Sequence, residues 1–356
     1  MIKKIRVVIL GLDTFKHKNI SQIKLMNQSG YYFTVFTNDR MGDSKKQFGD
    51  LLQINSLKVL KGKFLQRLCQ VFQYLRKSKN TLHHVELYPI GRFSIFYIII
   101  CKTLRIKSLS ILRGIALKPE NFDNESWLYK LSVKYSFRWS DYVWYKEPYM
   151  EHNLNRIGVT RKAFLPNAVA MPDQQGNIVK SIDFIWVNRI IKERYFDWVT
   201  EHFYNHRNSS LTVLGSQGER DFMSSNSYQL LNKMKDRKEI DFQGFVNPMA
   251  YYQLATYFIL PTEIVFGNYA LLEAMSYGVI PIVSSTDSTS LIVQDGVNGL
   301  VFNNDKASFF RMLKYAVNLS EEKKKLLSEK AQETIHQQYS LDSHKKSLLK
   351  LYSKLD

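Results

Sequence analysis

Residues 258–302, FILPTEIVFGNYALLEAMSYGVIPIVSSTDSTSLIVQDGVNGLVF, leave few folds open to this chain. A short apolar strand ends at Pro261 and gives way to a loop holding Glu263 and Gly267. A helix follows, carries Glu273 and closes at Gly278. A second buried strand, Val279–Ser284, comes next, then a turn-rich segment and a hairpin-like exit at DGVNGL. Strand, loop, helix and strand in this order make a unit of a parallel α/β sheet. The amides that open the helix, near Asn268–Ala270, precede its internal hydrogen bonds and point at whatever sits above the strand ends. That end of the sheet therefore favours an anion. Glu273 lies about one turn inside. A carboxylate beside an anion site suits hydroxyl groups better than phosphate, and a ribose diol is an obvious partner.

The same alternation runs through the rest of the chain. Residues 5–10 (IRVVIL) form a buried strand, a helix spans Asn19–Ser29 up to Gly30, and Tyr31–Phe36 is the next strand. No Gly-x-Gly-x-x-Gly accompanies this first unit, so its loop is not a pyrophosphate cradle of the dinucleotide-binding kind. Further strands are expected at Leu82–Val85, Ser108–Leu112 and Tyr142–Tyr145. Helices are expected at Arg92–Arg105 and at Asp123–Trp139, the latter with Trp127, Leu128, Leu131 and Tyr135 on one face. Residues 166–180, rich in Pro, Asn, Gln and Gly, read as an interdomain linker. Beyond it, strand Phe184–Asn188 leads into Arg189, Lys192 and Arg194. Strand Leu211–Leu214 ends at Gly215, and a polar helix spans Glu219–Lys235. Strand Ile240–Phe242 precedes Gln243-Gly244-Phe245, and Met249–Thr256 is helical. Ser340 and Asp342 are candidate caps for a last helix, Ser343–Leu355. Length and alternation give two doubly wound α/β domains, with ligands expected at strand carboxyl ends.

Charge narrows the partners. The chain carries 50 Lys and Arg against 32 Asp and Glu, a formal charge of +18. Residues 56–113 concentrate it, with twelve Lys or Arg and a single acid, Glu86. Within this stretch Phe64, Leu65, Leu68, Val71, Phe72 and Leu75 recur at helical spacing between Lys61, Lys63, Arg67, Arg76 and Lys77. Such a basic amphipathic helix can pack its apolar side on the core or dock on an anionic membrane surface. Nucleic acid is the less favoured partner, because no helix-turn-helix, zinc or RNP-type pattern is present. Cys69 and Cys101 have no metal spacing and suggest buried free thiols in a reducing cytoplasm. The basic start followed by a short apolar run reads as a first strand rather than a leader, and no stretch is long enough to span a membrane.

The segment FGNYALLEAMSYGVIPIV…DGVNGLVF resembles the donor-site segment of retaining GT-B glycosyltransferases, specifically glycosyltransferase family 4. In that family a Glu is followed after seven residues by a second Glu, then Ala-Met, a small residue and Gly-x-Pro-x-Ile. Glu273 matches the second Glu, whereas Val265 stands where the first is expected and Glu263 lies two residues upstream. Pro166-Asn167-Ala168-Val169 is similar to the family's junction motif, with Ala in place of Gly.

The resemblance implies a GT-B fold: two Rossmann-like domains facing across a cleft. These would be an acceptor domain over 1–165, the linker 166–180 and a nucleotide-sugar domain over 181–338. Residues 339–356 would be a C-terminal helix returning to the first domain. It also implies roles. Arg189 and Arg194 would neutralise the leaving diphosphate, with Lys192 as a nearby alternative. Glu273 would hold the ribose and Glu263 the donor sugar. The Gly267, Asn268 and Tyr269 amides would meet phosphate or sugar, Gly244 and Phe245 the base, and Gly215 the same crevice. Arg113 stands where many members carry a His.

No Asp-x-Asp or Cys-x-x-Cys occurs, so no metal or other cofactor is expected and the positive charge should come from side chains. His17 and Glu86 are weaker acceptor-site candidates, and His83 beside His84 reads as structural. The expected activity is retaining transfer from a UDP- or GDP-linked sugar to a glycan or lipid-linked acceptor, at the inner face of a cytoplasmic membrane. A non-catalytic relative serving as a scaffold in glycan assembly is the alternative. Oligomeric state is not legible.

Overall fold

The structure is a computed structural model that describes all residues except 1–4, 13–16, 38–48, 50–54, 113–116, 118–121, 174–178, 208, 216–225 and 235. Arg113 and the loop residue Asp13 lie outside the described residues. The chain divides into two compact units, Met1–Pro166 with Lys345–Asp356, and Asn167–His344.

In the first unit, seven strands form one sheet: β1 (Ile5–Leu12), β2 (Tyr31–Thr37), β3 (Ser56–Val59), β4 (Leu82–Leu87), β5 (Lys107–Leu112), β6 (Tyr142–Tyr145) and β7 (Lys162–Phe164). Their order is β3-β2-β1-β4-β5-β6-β7, and every pair is parallel. The period of two along a strand sends Val7 and Ile9 to one buried face and Val8 and Leu10 to the other. Burial on both faces explains why Val7–Leu10 read as an unbroken apolar run. Each such side chain contributes roughly 1.5–3 kcal/mol.

Two helices on this sheet differ from their sequence pattern. In Phe64–Ser78 only Val71 and Leu75 of the apolar stripe are fully buried, and Leu65 is 71% exposed. In Trp127–Trp139 the sheet side takes Ser132, Val133, Ser136 and Phe137, while Trp127, Leu128 and Leu131 face solvent. The small serines allow close approach, and the Ser132 hydroxyl donates to the Gly91 carbonyl at 3.1 Å.

The last helix, Leu341–Tyr352, is capped by Ser340, whose hydroxyl accepts from the Ser343 amide at 3.2 Å. Its Leu348, Leu351 and Tyr352, and Leu355 beyond it, complete the core formed by Phe33, Leu109 and Trp144. Glu86 is not an acceptor-site group: it lies inside β4, 1% exposed. A buried carboxylate requires donors. Glu86 takes the Tyr352 hydroxyl and, at 3.4 Å, the Gln22 amide, with His84 Nε2 at 3.5 Å. His83 Nε2 meets the Asp356 carboxylate at 2.8 Å, and the two histidines meet through Nδ1 atoms 2.6 Å apart. This network anchors the chain end to β4.

The second unit holds β8 (Ile182–Val187), β9 (Leu211–Leu214), β10 (Ile240–Gly244), β11 (Ala255–Leu260), β12 (Ile280–Ser285) and β13 (Leu300–Asn303). The order is β10-β9-β8-β11-β12-β13, again all parallel. The helix before β11 ends at Leu254, and the strand starts at once with buried Ala255. The DGVNGL segment is not a hairpin. Asp295 accepts from the Val301 amide at 2.8 Å and turns the chain into β13, which pairs parallel with β12. Strand order reverses between β8 and β11, and such switch points open a crevice at strand carboxyl ends.

Candidate functional site

The loops after β8 and β11 meet at this switch point. Arg189 follows β8 and is exposed, and Lys192–Arg194 form a single 3-10 turn. Arg194 reaches from there to the loop after β11, donating to the Thr262 hydroxyl at 3.0 Å and the Ile264 carbonyl at 3.4 Å. Burial first, and the like charge of Arg189 second, hold its pKa below the ordinary arginine value, with Glu193 opposing. Neither Arg189 nor Arg194 forms an ion pair among the described residues. Two guanidinium groups thus share a field that no ion pair neutralises among the described residues and that Glu193 offsets only in part, an arrangement that a polyanion relieves.

Thr262, which sequence reasoning missed, ties the two loops together. It is buried, its amide donates to the Ser284 hydroxyl at 2.9 Å, and its hydroxyl donates to the Glu193 carbonyl at 3.1 Å. The Glu263 amide also donates to the Glu193 carbonyl, at 3.3 Å. The Glu263 side chain is exposed and accepts from the Tyr195 hydroxyl at 3.2 Å. Tyr195 has a left-handed backbone, φ 45°, and stacks on Trp198 with ring centroids 4.2 Å apart. Val265 is fully buried in the core with Phe266, Leu271 and Leu272. The position where the resemblance expects the first Glu therefore holds a packing residue.

Helix Tyr269–Ser276 starts beyond Gly267, whose φ of 78° is one a side chain resists. The Gly267 carbonyl accepts from the Asn167 side-chain amide at 2.9 Å, and Asn167 Oδ1 accepts from the Tyr269 hydroxyl at 3.0 Å. Asn167 was legible only as part of the junction motif; its role as a brace for a loop 100 residues away was not. Asn268 is the N-cap, its side chain accepting from the Leu271 amide at 3.2 Å. The first intrahelical bond is Leu272 amide to Asn268 carbonyl, so the amides of 268–270 lie ahead of the ladder. Buried Tyr252 steadies this turn by donating to the Ala270 carbonyl at 3.2 Å.

Glu273 lies one turn in, half-buried. Its carboxylate makes no hydrogen bond or ion pair among the described residues, and desolvation pushes its pKa to about 7. A desolvated carboxylate without donors is an acceptor in want of hydroxyls.

The remaining strand ends supply backbone. Gly215 closes β9 against the β8 loop: a Cβ there would sit 2.2 Å from the Asn188 carbonyl oxygen, and the Gly215 amide donates to the Gly244 carbonyl at 2.8 Å. Gly244 ends β10 with φ 68°, and Phe245 beyond it is 91% exposed. Among the described residues no group of three or more His, Cys, Asp or Glu could hold a metal ion, and no helix is long and apolar enough to cross a membrane.

Two Rossmann-like units in this strand order, with cations, capped helix and carboxylate at the ends of the second sheet, define a protein of the GT-B fold. Residues 181–318, which lie within the second unit, match the family model described as Glycosyl transferases group 1. The chain resembles a glycosyltransferase from Rickettsia africae (TM-score 0.77, 12% identity, 99% of this chain and 98% of that one). It also resembles HepE of Anabaena in complex with UDP-glucose (TM-score 0.72, 12% identity, 98% and 99%). A lipopolysaccharide outer core galactosyltransferase, WaaB, is similar as well (TM-score 0.67, 15% identity, 98% and 99%). At these identities the likeness is one of fold. No curated protein matches the chain.

Proposed function

We propose that the chain transfers a sugar from a nucleoside diphosphate sugar, UDP-linked in the first instance, with retention of configuration. The observation that carries this reading is the Arg189–Arg194 pair, two cations in no ion pair among the described residues, set at the switch point on the loop that leads into the helix opened by Asn268. In the proposed reaction the bond between the anomeric carbon and the diphosphate oxygen breaks. The leaving diphosphate gathers negative charge, and preorganised guanidinium and amide donors stabilise it without a divalent ion. Glu273 accepts from the ribose hydroxyls, and Phe245 and the Gly244 turn receive the base. Glu263, steadied by Tyr195, contacts the sugar in place of the carboxylate that Val265 cannot supply. With retention, the acceptor hydroxyl attacks on the face the diphosphate leaves and gives its proton to the departing phosphate. The acceptor is a glycan or lipid-linked saccharide of a cell-surface polymer. It would meet the strand ends of the first unit on the cytoplasmic side of a membrane, where the protein is peripheral.

A thermal-shift panel of nucleotides and nucleotide sugars tests the reading. UDP or a UDP-sugar should stabilise the protein by about 2.7 kcal/mol at a hundredfold excess over Kd, with or without a chelator. A panel without any shift defeats the proposal, and turnover abolished by chelation defeats its metal-free form. The buried Val265 favours one rival, a relative that binds nucleotide but does not transfer. Slow release of UDP from a UDP-sugar by the purified protein excludes that rival.

A further inference from the structure

Most exposed apolar residues of the first unit gather at one edge: Leu65, Phe93, Phe96, Trp127, Leu128 and Leu131 lie just before or within the first two turns of three helices, Phe64–Ser78, Ser94–Leu104 and Trp127–Trp139, whereas Trp139 and Phe164 lie away from it. The middle helix packs against both of the others. Phe64 bridges the first two, its ring 4.5 Å from Phe93 and 5.3 Å from Phe96. The Ser132–Gly91 hydrogen bond brings the third beside the same turn. Each helix follows a parallel strand, so all three first turns sit at the carboxyl edge of the sheet, where α/β units take ligands. Trp127 is 65% exposed and Leu65 71%, and clustered apolar exposure of this kind marks an interaction surface.

The charge around the patch names the partner. Lys61, Lys63 and Arg92 are exposed at the same ends, and Arg67 lies within the first turn of Phe64–Ser78. The one acid between residues 56 and 113, Glu86, is buried against Tyr352 and offers nothing to the surface. Glu125 and Asp123 precede Trp127, and Asp123 is paired with Arg156. An aromatic and aliphatic centre with a basic rim matches the interface of an anionic bilayer: rings and Leu side chains enter the acyl boundary while Lys and Arg meet phosphate headgroups. We propose that this three-helix face, rather than the amphipathic stripe of Phe64–Ser78 whose Val71 and Leu75 are core residues, seats the first unit on an anionic membrane leaflet. The seat borders the edge where the acceptor would bind, so the acceptor class is a saccharide on a membrane-embedded lipid. That last step rests on the transfer reading; the membrane contact does not.

The test uses the full chain with vesicles of phosphatidylcholine alone or with about a third phosphatidylglycerol. Flotation should require the anionic lipid. Lys61→Gln with Lys63→Gln and Arg92→Gln should weaken partitioning on the order of a hundredfold, roughly fivefold per charge. Leu65→Ser with Trp127→Ser and Leu128→Ser should abolish flotation while leaving the melting temperature and the UDP-induced shift unchanged. Brominated lipid should quench fluorescence in the parent chain and much less in Trp127→Phe, because Trp144 and Trp186 are fully buried, Trp139 lies at the opposite end of its helix and Trp198 belongs to the second unit. Equal binding to neutral vesicles, retention on duplex DNA with no vesicle binding, or self-association lost in the Leu65/Trp127/Leu128 variant would each overturn the proposal. Failure of the UDP shift with flotation intact would instead count against the transfer reading alone.

Discussion

The two sheets share a strand order through their first six positions, and both are parallel throughout, yet their carboxyl edges are furnished in opposite ways. The second unit presents polar groups held in place, Arg194 on Thr262, Gly267 on Asn167 and Asn268 on Leu271, and Glu273 with no hydrogen-bond or ion-pair partner among the described residues. The first presents Phe93, Phe96, Trp127 and Leu128 to solvent, and its notable carboxylate, Glu86, is buried and satisfied. A shared scaffold does not assign the chemistry; the side chains at the strand ends do. On the proposed readings, one edge takes a small, highly charged ligand and the other a broad surface.

Substitutions at four positions probe that contrast. Arg194→Met should have the largest effect, lowering UDP affinity or kcat/KM by about a hundred- to a thousandfold, since it removes a charge-assisted donor from a partly desolvated site. Arg194→Lys should recover part of the loss, and vesicle binding should not change. Calorimetry with UDP and flotation, run side by side, would break the contrast if both moved together.

Glu273→Gln should weaken nucleotide binding roughly tenfold or more while stabilising the ligand-free protein. The sign follows from the raised pKa. The carboxyl holds its proton in the folded state up to about pH 7 but loses it near 4.5 when unfolded. Stability therefore falls as pH climbs between those values, and the penalty persists above them, at most about 3 kcal/mol. The gain from the substitution should be full at pH 8 and absent at pH 4, as denaturant titrations at the two pH values would read.

Tyr352→Phe should destabilise the first unit by about 1–3 kcal/mol, because Glu86 loses its closest donor inside the core. The UDP-dependent shift, which belongs to the second unit, should survive. Phe245→Ser should have the smallest effect, a few-fold loss of nucleotide affinity with no measurable change in melting temperature, as expected of a ring that is almost wholly exposed. A large loss of stability there would mean that Phe245 packs rather than waits for a base.

Much of the donor-side site could be read in advance because its parts are local. Gly267 and Gly278 take positive φ on either side of one helix, and Arg189 and Glu273 stand at fixed offsets from strand ends. Thr262 and Tyr195 escaped notice because their partners lie 68 residues away, and no spacing announces such a contact. Which face of helix Trp127–Trp139 is buried was not legible for a related reason. Its most apolar face looks like a core face, but the neighbouring helix needed the small face of Ser132 and Ser136.

The sequence by itself determined the alternation of strand and helix, the parallel sheets it entails, and the turns that only glycine tolerates. Those depend on backbone preference and periodicity within a dozen residues. The tertiary structure decided the state of each charged or apolar group: Glu273 desolvated and unpaired, Glu86 buried and paired, Val265 inside, Trp127 outside. Burial and pairing are set by segments far apart in the chain, and it is they, not residue type, that fix whether a carboxylate binds or braces and whether a ring packs or docks.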